Sequence, residues 1–246
     1  MHAVPRLVLL AAAGLAMTFA PPARAQGLKR HIPFGIAHLP LTEVPATGPG
    51  DVLAVFLTGD GGWTTLERGV SAELRGAGIP VVGFSQLWYL LHRRTPERVG
   101  EDLGRIIATY RARWHRGSVV VIGYSRGAGI VPFAVNRLPP AQRAAVKEVV
   151  LIGAEHTAGF KLGPRELFTS KPRADEVPVM PELSRLGSAT LVCFYGRRES
   201  DTLCPELPAP AIAVMMPGAH HFSGRYGEIG RRIAETVESV EAHDQP

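Results

Sequence analysis

The sequence predicts an α/β fold, a mostly parallel β-sheet with helices on both faces. Two observations carry this. From residue 50 onward, short β-rich runs alternate with stretches whose apolar residues recur at helical spacing. Two of the runs, VLAVFLT at 52–58 and SVVVIG at 118–123, are almost continuously apolar, as strands buried on both faces must be. At 246 residues, with 46% apolar and 20% charged, the chain suits one domain with one sizeable core.

Taken in order, the N-terminus reads as a leader rather than as part of the fold. Arg6 supplies a basic start, residues 7–20 are apolar and uncharged, and Ala23-Arg24-Ala25 has the small-x-small pattern of a cleavage site. The apolar run falls short of the ~20 residues that span a bilayer. Residues 1–25 are therefore expected to be a signal peptide, cleaved near Ala25, and 26–246 a single exported domain. Residues 31–44 could add edge strands. The run 52–58 is the first buried strand, 64–76 a helix ended near Gly76 and Gly78, and 79–84 the next strand. Pro96 opens a helix whose face is Val99, Leu103, Ile106, Ile107, Tyr110 and Trp114. Then follow a strand at 118–123, a helix at 127–138 with Pro132 as a kink, and strands at 146–153, 190–195 and 211–216. A helix at 226–242 closes the chain. The irregular stretch 154–186, rich in Pro, Lys and Arg, reads either as a short cap insertion over the site or as a plain surface loop.

The net charge is +5, falling to +3 once Arg6 and Arg24 leave with the leader. The arginines are scattered and not interleaved with aromatic residues, so a nucleic-acid partner is poorly supported. Cys193 and Cys204 are the only cysteines. In an exported chain they are expected to pair as a disulfide, one in a strand and one in the loop after it. They give no cluster at metal-ligand spacing, so neither a metal nor a cofactor is expected.

Gly123-Tyr124-Ser125-Arg126-Gly127 is G-x-S-x-G, preceded by a strand and followed by a helix. That context turns a weak pattern into a specific one, the nucleophile elbow of an α/β-hydrolase fold. A sharp strand-to-helix turn thrusts the Ser125 hydroxyl out of the sheet, and small flanking residues let the backbone clear its neighbours. The N–H of Arg126, at a helix N-terminus, would face a substrate oxyanion. A second donor should come from the glycine-rich loop 58–63, as the N–H of Asp60 or Gly61. The Asp60 side chain itself could instead bind a substrate amine or hydroxyl, or cap the next helix. No GKS/T follows this loop, which excludes a P-loop.

A nucleophilic serine needs a base, and the base an orienting acid, in the chain order Ser, Asp/Glu, His. The loop after the strand at 190–195 offers Asp201, four residues before Pro205, with Glu199 as the second choice. The turn after the strand at 211–216 offers His220, in a small-x-His setting, with His221 beside it. His92, His115 and His156 lack such a placement.

The stretches LTGDGGW (57–63), VIGYSRGAGIVPFAVNRLP (121–139), YGRRESDTLCP (195–205) and PGAHHF (217–222) resemble the bacterial virulence protein family VirJ and the C-terminal domain of its two-domain relatives, AcvB. The Arg126–Gly129 stretch departs from the pattern, where a Phe and an acid near Gly129 would be expected. The resemblance implies a periplasmic α/β-hydrolase with Ser125, Asp201 and His220 or His221 as its triad. It implies an aminoacyl ester of phosphatidylglycerol, lysyl above all, as substrate, met as an aminoacylated phospholipid at the membrane surface. It also implies a link to type IV secretion and a secretion-system protein as partner. Arg126, Arg197, Arg198 and Arg225 are candidates to meet a lipid phosphate. The competing readings are a general exported esterase and a non-catalytic binding or chaperone module that keeps the hydrolase shell.

Overall fold

The computed structural model describes residues 35–163 and 176–244, with the side chains of 241–244 left aside. The expected leader lies outside the described residues, as does the middle of the 154–186 insertion. In chain order the elements are β1 (Leu41–Val44), β2 (Val52–Leu57), α1 (Thr65–Gly76), β3 (Val81–Phe84), α2 (Gln86–Tyr89), α3 (Pro96–Trp114), β4 (Ser118–Tyr124) and α4 (Arg126–Asn136). After them come α5 (Pro140–Ala145), β5 (Val146–Ile152), β6 (Thr157–Ala158), β7 (Val177–Pro178), α6 (Met180–Leu183), β8 (Thr190–Gly196), β9 (Ile212–Met216) and α7 (Tyr226–Asp244).

Seven strands form one sheet in the order β1-β3-β2-β4-β5-β8-β9. All neighbours run parallel except β1, which pairs antiparallel with β3 at the edge. The expected edge segment thus supplies one strand, four residues long. Strand order reverses between β3-β2 and β4-β5, and such a switch point opens a crevice at the carboxyl ends of the strands. Both faces of the sheet are covered, which is why β2 is buried along its whole length. One face packs Leu53, Val55, Leu57, Val119 and Val121 against α3 and α4. The other packs Ala54, Phe56, Val120 and Ile122 towards α1 and α7.

Helix starts follow local chemistry. Thr64 caps α1 in a reciprocal box with Glu67, and Thr95 caps α3 ahead of Pro96, whose missing N–H costs nothing at the first helical position. α3 ends at His115, which adopts a left-handed conformation with φ 53°. Pro132 sits inside α4 without ending it.

One buried charge has a direct consequence. Glu148 of β5 is buried, and of its carboxylate oxygens only Oε1 has a partner, Thr236 Oγ1 of α7 at 2.9 Å. Burial raises its pKa from 4.5 to about 7, against the lowering effect of that hydrogen bond. A carboxyl whose folded pKa lies above its unfolded value binds protons more tightly when folded, so stability falls as pH rises from about 4.5 to about 7 and stays reduced above. The full effect is about 3 kcal/mol. Glu148→Gln should remove this slope, and denaturant midpoints of the two proteins should match at pH 4 and separate at pH 8, with the variant more stable. Equal midpoints at pH 8 would show that Glu148 ionises freely in the folded state.

Candidate active site

Ser125 lies between the end of β4 and the start of α4, with φ 52° and ψ −119°. A non-glycine residue adopts this strained conformation only where the surroundings hold it. They do so here by close approach. A Cβ on Gly127 would collide with the Leu57 carbonyl of β2, and one on Gly123 would lie 2.5 Å from the Gly127 carbonyl. The glycines of G-x-S-x-G are therefore the clearance that lets α4 turn back over the sheet. The Ser125 N–H is fixed by the Ile152 carbonyl at 2.8 Å.

His220 approaches the same place from the turn after β9. Its ring stacks on Tyr124, the residue before the serine, at 5.3 Å and 28°. It also rests on Gly153, the residue after Ile152, where a Cβ would lie 2.9 Å from the ring. Ser125 and His220 thus share the segment 152–153 as a floor. His220 Nδ1 meets Glu199 Oε1 at 2.5 Å. Burial alone would lower the His220 pKa, but this hydrogen bond and the charge of Glu199, with Glu155 and Asp60 nearby, leave it raised above 6.5. His221 does other work. Its Nδ1 lies 3.0 Å from the Tyr124 hydroxyl, which steadies the ring on which His220 stacks. Between the two adjacent histidines, the structure gives the acid partner to His220.

The expectation for Asp201 is corrected. Its carboxylate meets His156 Nδ1 at 2.8 Å, and His156 Nε2 meets Glu206 Oε1 at 2.9 Å, all on exposed side chains. Asp201 is 62% exposed and Glu199 only 4%. The reason is a tight turn at the end of β8. The Glu199 N–H donates to the Gly196 carbonyl at 2.9 Å, and the Gly196 N–H donates to Glu199 Oε2 at 2.8 Å. This folds the Glu199 side chain back under the strand end and towards His220. Two residues further on, the chain has already turned to solvent. The expected disulfide is present between Cys193 of β8 and Cys204, and it closes the loop that carries both acids.

The oxyanion loop is also built as a unit. The Gly62 N–H donates to the Gly59 carbonyl at 3.1 Å, which leaves Asp60 and Gly61 at the corner of the turn. Among the described residues, no acceptor takes the N–H of Asp60 or of Gly61. The N–H of Arg126 begins α4 and is likewise unused within the helix. The Asp60 carboxylate is not open to a substrate amine, because it is paired with the Arg126 guanidinium through both Nε and Nη2, the latter at 3.1 Å. That pair ties the loop to the residue after the nucleophile. It also occupies Arg126, which removes it from the candidates for a lipid phosphate. Sequence reasoning missed Glu67, a fully buried carboxylate that accepts from the N–H of Thr64 at 2.9 Å and of Gly59 at 3.4 Å. The signal was the Thr64-x-x-Glu67 spacing of a capping box. It also missed Tyr124 and Gly83, where the Trp63 ring lies against the backbone and leaves no room for a Cβ.

The insertion after β5 packs beside this centre. Its β6–β7 hairpin meets α4, with Ala158 where a Cβ on Gly129 would lie 3.3 Å away. Glu155, half-buried at the start of the insertion, has its pKa raised by burial, with His220 and Arg126 opposing and Asp201 and Asp60 reinforcing. Among the described residues, no His/Cys/Asp/Glu group is arranged to hold a metal ion.

Solved structures share this architecture at low sequence identity. The chain is similar to the esterase domain of a Rhodothermus marinus protein, with 16% identity and a TM-score of 0.55 over 79% of this chain and 89% of that one. It is similar to Est1E from Butyrivibrio proteoclasticus, with 13% identity and a TM-score of 0.57 over 82% and 93%. It is also similar to a proline iminopeptidase of Mycobacterium smegmatis, with 9% identity and a TM-score of 0.59 over 83% and 96%. Likeness at this identity establishes the α/β-hydrolase fold and nothing about substrate. No curated protein matches the chain. The profile described as "Bacterial virulence protein (VirJ)" matches residues 51–241, which include every element of the site above, and the chain therefore belongs to the VirJ family.

Proposed function

We propose that the protein is an exported serine hydrolase that cleaves the aminoacyl ester of an aminoacylated phosphatidylglycerol, lysyl-phosphatidylglycerol in the first place. The observation that carries the reading is the strained Ser125 elbow set beside a histidine whose far nitrogen is held by a buried carboxylate. In the first step the Ser125 hydroxyl attacks the ester carbonyl and His220 Nε2 takes its proton. Glu199 keeps the other ring nitrogen protonated and stabilises the imidazolium. The N–H groups of Arg126 and of Asp60 or Gly61 receive the oxyanion. Collapse releases the glycerol hydroxyl of the lipid, protonated by His220, and leaves the aminoacyl group on Ser125. Water, activated by the same histidine, then frees the amino acid. Resemblance to the longer family members supports the lipid ester, and the carboxylate of Glu155 beside the site suits a substrate that carries an ammonium group.

The test is an amino-acid release assay on lysyl-phosphatidylglycerol, run beside short-chain esters and with a fluorophosphonate probe. The expected result is one covalent adduct and faster release from the lipid than from the simple esters. An adduct with turnover of the simple esters alone would replace the reading with that of a general exported esterase. The absence of any adduct would move the protein to the binding or chaperone class.

A further inference from the structure

The connection from β3 to α3 leaves an apolar surface that the catalytic reading does not use. Trp88 is 64% exposed and Leu91 45% exposed, Trp88 in the short helix α2 and Leu91 three residues on, in the turn that follows it. The segment 86–91 that carries them is not loose. Its inner side buries Tyr89 and Leu90, and the Tyr89 hydroxyl donates to Asp102 of α3 at 2.6 Å. A chain that spends two neighbouring large apolar side chains on solvent, on a fixed support, has a use for them.

The surroundings say what they meet. Residues 86–94, QLWYLLHRR, contain no acid. Arg93 is exposed, and Arg94 lays its guanidinium 4.5 Å from the centre of the Tyr89 ring. The Leu162 N–H donates to the Leu90 carbonyl at 2.7 Å, which brings Lys161 alongside from the insertion. An aromatic and an aliphatic side chain rimmed by cations match the boundary of an anionic bilayer, where the indole takes the interface and the cations the head-group charge.

The position is equally informative. α2 follows the carboxyl end of β3, which runs parallel to β4, so it stands on the same rim of the sheet as Ser125. The Gln86 N–H donates to Thr58 Oγ1 at 3.0 Å, and Leu87 packs against Gly62 of the oxyanion loop. We propose that Trp88 and Leu91, with Arg93, Arg94 and Lys161, form a docking surface for an anionic phospholipid membrane and set the Ser125 rim against it. This deepens the lipid-ester reading, but it is tested without any ester.

The experiment measures binding of the purified protein to phosphatidylglycerol vesicles and to phosphatidylcholine vesicles by co-flotation. It adds quenching of tryptophan emission by brominated acyl chains. Wild type should bind the anionic vesicles, and Trp88→Ser/Leu91→Ser should weaken that binding about ten-fold or more. Quenching should fall steeply in Trp88→Phe, because Trp88 is the most exposed of the three tryptophans, whereas the Trp63 ring packs on Gly83 and Phe56 and Trp114 on Tyr110. Turnover of a soluble short-chain ester, or fluorophosphonate labelling, should stay at the wild-type level in all variants. Equal binding by wild type and the double variant, quenching as strong in Trp88→Phe as in wild type, or equal affinity for both vesicle types would each overturn the proposal. Because the vesicles carry no aminoacyl group, these outcomes stand whether or not the lipid ester is the substrate.

Discussion

Ser125→Ala should lower ester turnover by roughly four to six orders of magnitude while leaving the thermal midpoint almost unchanged. Removing the hydroxyl removes the nucleophile, and His220 and the oxyanion donors then have only water to work with. The fold should survive because the elbow is held by backbone contacts rather than by the Ser125 side chain. The Ser125 N–H bonds to Ile152, the Ser125 carbonyl accepts from the Gly129 N–H at 3.2 Å, and the glycines at 123 and 127 keep their clearance. Circular dichroism and a melting curve read the fold, and kcat with a fluorophosphonate mass shift reads the chemistry. Retention of normal turnover by Ser125→Ala would remove the mechanism altogether.

The second large effect separates two acids only two residues apart. Glu199→Gln should reduce kcat by about 10³ to 10⁴-fold, because the amide can no longer stabilise the imidazolium or enforce one tautomer. Asp201→Asn should change kcat by less than about three-fold, since its exposed contact with His156 contributes little. The pH profile adds a signed test. His220 acts as base when neutral, so kcat/KM rises as the proton leaves. Burial lowers its pKa, but Glu199 and its acidic neighbours leave it above 6.5, so the acid limb in wild type should lie above that value. Glu199→Gln removes the main raising influence and should move the limb to lower pH, whereas Asp201→Asn should leave it in place. A large loss in Asp201→Asn with little change in Glu199→Gln would return the acid role to Asp201.

The proposed docking surface and the proposed chemistry meet in the same loop. Gly59–Thr64 holds the N–H groups proposed to receive the oxyanion, touches α2 through Gly62 and Leu87, and is pinned from below by Glu67. A membrane that presses on α2 would therefore press on the frame of the oxyanion loop. The proposed lipid contact and the proposed transition-state stabilisation thus fall on adjoining segments.

The sheet, its helices and the nucleophile were legible because each depends on residues close together in the chain. Continuous apolar runs specify β2 and β4, and periodicity together with Thr95 and Pro96 specifies α3. G-x-S-x-G with a strand before it and a helix after it specifies the elbow. The small elements α2, α5 and the β6–β7 pair were not legible, since two to six residues carry too little periodicity to rise above the loops around them. Asp60 had two readings, and the chain decides between them only when α4 brings Arg126 against its carboxylate.

By itself the sequence determined the α/β-hydrolase fold, the placement of Ser125 at its strand-to-helix elbow, and the candidate base as one of two adjacent histidines. Only the tertiary structure decided that His220, rather than His221, meets a buried carboxylate and that this carboxylate is Glu199 rather than Asp201. Glu199 and Asp201 lie two residues apart in one loop, which also carries Arg197 and Arg198, and their side chains differ by one methylene. The turn at Gly196–Glu199 folds one side chain beneath the strand end, while the chain two residues later faces water. Which carboxylate meets the imidazole is thus fixed by the packing of β8 against β9 and by direction in space, and neither is written in the spacing of the residues.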